Sequence, residues 1–152
     1  MRKLILKWLG SLLLLGGLTS MTAFAKDAPI YTGLFSKTAV SGFDVVAYFT
    51  EGKPVKGDSA ITTNYQGAEW HFSSAANRDK FLADPQKYAP QYGGYCAWAV
   101  SQGYTASADP QRWTIVKDKL YLNYDEDVQK KWEVNIPDFI QKADKNWPKV
   151  LD

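Results

Sequence analysis

Cys96 is the only cysteine among 152 residues, so no internal disulfide can staple this chain. Packing alone must hold whatever fold it adopts. The sequence offers aromatics for that purpose: beyond residue 25 it carries five Trp, nine Tyr and six Phe. Aromatic side chains bury large areas and can build a small core, while Tyr and Trp keep a polar tip for a rim or a ligand. His71 is the only histidine. One thiol and one imidazole are therefore the soft ligands on which metal or nucleophilic chemistry could be built.

The start of the chain reads as an export signal. Arg2, Lys3 and Lys7 precede a leucine-rich apolar run from Trp8 through Leu18, and Ala23-Phe24-Ala25 gives the small-x-small pattern of a cleavage site. The run is short for a membrane span and is broken by Gly10, Gly16 and Gly17. We expect a signal peptide over residues 1–25, cleavage after Ala25, a periplasmic or secreted product and no membrane span afterwards. Cleavage removes three basic residues and no acidic ones. The 18 Lys and Arg fall to 15 against 16 Asp and Glu, and the net charge of +2 becomes −1. A slightly acidic chain has no electrostatic basis for non-specific nucleic-acid binding. Met1 and Met21 also go, leaving no methionine for an axial-methionine copper site.

The remaining 127 residues suit one domain. Residues 26–41 read as an extended lead-in. Val45-Val46-Ala47-Tyr48-Phe49 is too short for periodicity to separate a strand from a helical turn. Ile61 to Tyr65 favours extended structure, Gln66-Gly67 makes a turn, and Ala68-Glu69-Trp70-His71-Phe72 returns as a second strand. Alternation sets Trp70 and Phe72 on one face, with Glu69 and His71 on the other. Ser73 or Ser74 can cap a helix that Asp84-Pro85 ends. Cys96 to Val100 reads as a short buried helix. Trp113 to Val116 and Leu120 to Tyr124 read as two strands joined by Lys117-Asp118-Lys119. From residue 125 two helical pieces follow, the second opened by Ile136-Pro137, where proline is tolerated in a first turn. The fold class is α+β: a small antiparallel sheet with packed helices and a C-terminal helical extension over 125–152.

Gly93-Gly94 permits positive-φ geometry and could present Cys96 at a helix start, where backbone amides lower a thiol pKa. Three roles stay open for that thiol: packing among aromatics, contact with a metal or small ligand, and redox or nucleophilic work. Glu69 can orient His71 across the same strand face. If Cys96 and His71 meet, they make a half-site for copper or zinc. Tyr48, Tyr92, Tyr95, Trp98, Trp113 and Tyr121 form either a core with hydroxyls at its rim or the lining of a ligand pocket, with Asp44 supplying a polar contact or a cap. No phosphate loop, dinucleotide fingerprint or paired-cysteine motif is present.

Gly42-Phe43-Asp44-Val45-Val46-Ala47-Tyr48-Phe49, Trp70-His71-Phe72-Ser73, Phe81 through Tyr88, Gly93-Gly94-Tyr95-Cys96-Ala97 and Leu120-Tyr121-Leu122-Asn123 together resemble the YHS-domain family, in a small exported branch. The resemblance covers roughly residues 42–124 and implies a YHS-like fold associated with heavy-metal handling. The family's metal-binding members carry an aromatic-Phe-Cys-Ser-x-x-Cys pattern after the second strand. Here Ser73 and Asn77 stand at the two cysteine positions. The soft-metal expectation therefore moves to Cys96 and His71. We expect a binding domain rather than an enzyme, for copper or zinc or another small ligand. The competing readings are a thiol-dependent redox enzyme using Cys96 and a protein-interaction domain.

Overall fold

The computed structural model describes residues 26–152; the expected signal peptide, residues 1–25, lies outside them. Two antiparallel hairpins organise the chain. The first pairs β1 (Asp58–Tyr65) with β2 (Ala68–Phe72), and the second pairs β3 (Asp109–Val116) with β4 (Lys119–Asn123). The expected small sheet is thus two separate two-stranded sheets. Each hairpin closes through two left-handed residues, Gln66 and Gly67 in one and Lys117 and Asp118 in the other. Positive φ at both central positions matches the right-handed twist of the flanking strands.

Short helices fill the spaces between. α1 (Ala47–Thr50) resolves the ambiguous apolar run as a helical turn, and α2 (Ala75–Ala83) follows β2. Ser74 caps α2 by accepting the Asn77 amide at 3.1 Å. Asp84 leaves helical geometry before Pro85 and caps α3 (Pro85–Tyr88) through the Lys87 amide. α4 (Ala97–Ser101) starts just after Cys96. α5 (Glu126–Glu133) and α6 (Ile136–Asn146) form the C-terminal extension, capped by Asp125 and Asn135. Both α5 and α6 pack against α4. No described helix is long and apolar enough to cross a membrane.

The interior has two apolar clusters. One gathers Val45, Val46, Tyr48, Trp70, Phe72 and Phe81 with Leu120 and Leu122. The other gathers Tyr92, Tyr95, Ala97, Val100, Trp132 and Ala143 with Tyr121. β4 is the shared wall. Its alternation sends Leu120 and Leu122 to the first cluster and Tyr121 to the second, so the strand is buried on both faces.

The lead-in is strapped to this body. Lys26 pairs with Asp152 at 2.6 Å, the Asp27 amide donates to the Leu151 carbonyl at 2.7 Å, and the Tyr31 amide donates to the Gly93 carbonyl at 2.9 Å. Gly93 is required for that passage. A Cβ there would overlap the Pro29 carbonyl oxygen, and its φ is +62°.

Candidate functional site: a polar cleft beside His71

His71 reaches its position by strand alternation. Ala68, Trp70 and Phe72 turn into the core, which leaves Glu69 and His71 on the half-buried face of β2. On that face Glu69 Oε1 lies 2.7 Å from His71 Nε2, the contact expected from two residues one step apart on one strand face. A carboxylate can only accept, so this contact puts a proton on Nε2 and leaves Nδ1 on the Gly42 side of the ring.

What Nδ1 faces is assembled from distant chain. The lead-in runs along β2, with the Glu69 amide donating to the Lys37 carbonyl at 2.8 Å and Thr38 bridging Glu69 in parallel. It then turns back through Val40, Ser41 and Gly42, all left-handed with φ of 50°, 51° and 80°. Left-handed backbone at a buried β-branched residue such as Val40 is strained and persists only where its surroundings enforce it. The following segment supplies that enforcement. The Asp44 amide donates to the Val55 carbonyl, and the Gly57 amide to the Gly42 carbonyl, each at 2.8 Å.

This turn leaves the bare face of Gly42 toward two nitrogens. A Cβ placed there would sit 3.3 Å from His71 Nδ1 and 3.5 Å from Lys56 Nζ. Lys56 is fixed by donating to the Ser41 carbonyl at 2.6 Å and by lying 4.8 Å over the Phe43 ring. Gly57 packs directly on the His71 backbone, since a Cβ there would come within 2.6 Å of it. The result is an open cleft of about 480 Å³ edged by hydroxyls, among them Thr38, Ser41 and Ser59.

Cys96 is elsewhere. It is 1 % exposed, directly before α4, and its Sγ–H donates to Asn123 Oδ1 at 3.6 Å. Burial pushes its pKa up, against smaller lowering effects from backbone amides of Ala99, Tyr124 and Trp98. The thiol is kept protonated. It forms part of a crevice of about 200 Å³ with Trp98, Tyr104, Tyr124 and Val128, while His71 borders the polar cleft. Among the described residues the two soft donors share no hydrogen bond, and each borders a different cavity. Among the described residues, no group of three or more His, Cys, Asp or Glu is placed to hold a metal ion.

The remaining sequence-predicted residues divide along β4. Tyr48 packs at a tilt against Trp113 at 5.4 Å and donates to the Pro110 carbonyl on the first-cluster side. Tyr92 meets Tyr121 at 5.9 Å on the other side, and Tyr95 meets Trp147 at 6.2 Å. Trp98 meets Tyr104 at 6.4 Å beside the Cys96 crevice. One aromatic-lined pocket does not form, because a strand buried on both faces stands between its members.

Asp44 is fully buried and saturated. Oδ1 accepts the Val46 amide at 2.9 Å. Oδ2 accepts the Ser73 amide at 2.8 Å, the Ser73 hydroxyl at 2.6 Å and the Asn77 side-chain amide at 2.8 Å. Ser73 and Asn77, which stand at the cysteine positions of the metal-binding pattern, are therefore committed to a buried carboxylate. A soft metal does not fit this donor set, whose side chains offer hard oxygen and amide groups already engaged with one another.

Residues 46–92 match the YHS-domain family model. No curated protein and no solved structure matches the chain. The YHS match takes in both strands of the first hairpin, His71, Ser73 and Asn77, and ends before Cys96 and the second hairpin. Sequence reasoning found His71 and its Glu69 partner but missed Gly42, Lys56 and Gly57. The only local hint was the glycine preceding Phe43-Asp44, and nothing in the sequence tied it to an imidazole 29 positions later.

Proposed function

We propose that this protein is an exported, non-catalytic binding domain whose ligand enters the cleft beside His71. The observation that carries this reading is the facing of two held nitrogens, His71 Nδ1 and Lys56 Nζ, onto one open polar space. Preformed concavity with a few fixed polar groups is the usual form of a small-ligand site. The export part rests on the signal pattern of residues 1–25 and fits the way Lys26 and Asp27 are already tied into the body.

Two features weigh against copper or zinc as the ligand of Cys96 and His71 together. The donors line separate cavities, and the Lys56 ammonium borders the space a metal on Nδ1 would occupy. Thiol-dependent redox chemistry is disfavoured by a protonated, enclosed sulfur.

Amide chemical-shift mapping with Cu(I), Zn(II) and a panel of small anions, amines and neutral polar compounds tests the proposal. Ligand-induced shifts should gather at Gly42, Gly57 and His71. Stoichiometric Cu(I) binding centred on Cys96 and abolished in C96S would overturn it and restore the soft-metal reading.

A further inference from the structure

Resting on the binding reading of this cleft, we infer that its ligand is a small oxyanion, a carboxylate or phosphate group, clamped between Lys56 and His71. The charge pattern sets the class. Lys56 spends one proton on the Ser41 carbonyl, and an ammonium has three, so donors remain for the cleft. On His71, Glu69 occupies Nε2 from the rear. An anion at Nδ1 then completes a row of alternating charge: carboxylate, imidazolium, anion, ammonium. Each charge-assisted hydrogen bond in such a row is stronger than a neutral one.

The walls agree with this class. The Ser41, Ser59 and Thr38 hydroxyls border the cleft and can rotate to donate to further ligand oxygens. Among the described residues no acidic side chain lines it, and the Glu69 carboxylate holds the other nitrogen of the ring. The bare face of Gly42 keeps the approach to the two nitrogens clear. Gly42 matters most, because any side chain there would project between Nδ1 and Nζ.

Nε2 keeps its proton for Glu69, so Nδ1 donates to the anion from the doubly protonated ring.

The test is titration of the purified protein with inorganic phosphate and, separately, acetate at constant ionic strength, read by amide and imidazole chemical shifts. Saturable shifts at Gly42, Gly57 and His71 are expected, with affinity weakened about tenfold or more in K56Q and H71Q, and largely kept in K56R. Chloride at equal ionic strength should not reproduce them. Whichever anion binds more tightly identifies the group. Binding unchanged in both K56Q and H71Q, or the same shifts with chloride, would overturn the oxyanion assignment. Shifts at these residues with an amine or a neutral compound, but with neither anion, would overturn the ligand class while leaving the cleft as the binding site. Shifts gathered elsewhere with every compound would overturn both.

Discussion

Asp44 carries more of the local structure than its place in the sequence suggests. As a residue just before an apolar run it reads as a cap, and it does hold the Val46 amide. Its second oxygen gathers Ser73 and Asn77 from 29 and 33 positions away and so ties the start of α2 to the turn before α1. Removing the carboxylate leaves several buried donors without an acceptor, each costing about 1–3 kcal/mol. Asp44→Ala should lose about 3 kcal/mol or more of unfolding free energy in urea titration. Asn77→Ala, which removes one donor and leaves Ser73 in place, should lose about 1–2 kcal/mol. A role for Asp44 confined to capping would make the Asn77 change neutral. At this scale the sequence was partly legible. Glu69 and His71 could be paired because strand alternation is local, whereas the partners of Asp44 could not be named because hydrogen bonds across a fold leave no spacing rule.

At the scale of elements, periodicity did most of the work. Alternation located both hairpins, and Asp84-Pro85 marked the end of α2. The Gly93-Gly94 pair was legible as a left-handed turn, and the structure adds its purpose. Tyr92, Gly93 and Gly94 all have positive φ, and the turn lets the lead-in cross at Pro29 and Tyr31. Gly93→Ala adds a Cβ into the Pro29 carbonyl at a φ that L-residues disfavour. We expect the lead-in to detach before the body unfolds. Hydrogen exchange should show faster exchange at Tyr31 while β3 and β4 stay protected; unchanged protection at Tyr31 would refute the strap. The same release should loosen the cleft, since Thr38 and Gly42 lie further along that segment. The strand-or-helix ambiguity of Val45 to Phe49 had a physical origin too. Four or five apolar residues fit either period, and it took burial in one cluster with Trp70, Phe72 and Leu120 to decide for α1.

Across the whole molecule, tyrosines buried in two clusters make an alkaline limit to stability. Burial, helped by the Asp27 and Asp144 carboxylates respectively, pushes Tyr95 and Tyr121 up to about 12 from the usual 10; burial raises Tyr48 and Tyr92 as well. The folded protein holds these phenolic protons more tightly than the unfolded chain does. Their stabilising effect is complete below pH 10 and is lost as pH rises through 12. Urea midpoints should be flat with respect to these groups up to about pH 10 and fall steeply above it. Phenolate absorbance from the buried tyrosines should appear together with unfolding. Ionisation of all nine tyrosines near pH 10 with the fold intact would contradict this burial.

The sequence by itself determined the α+β composition, the two hairpins, the helical tail, the dependence on aromatic packing without a disulfide, and the Glu69–His71 pair. Each follows from rules that act over a few residues: alternation, capping, turn geometry and residue inventory. Tertiary structure alone decided that His71 faces Lys56 across Gly42 and that Cys96 is sealed beside Asn123. It alone decided that β4 parts the aromatic residues into two clusters. Those outcomes depend on which distant segments come together, and long-range contact is set by the mutual fit of whole surfaces, which no local spacing encodes.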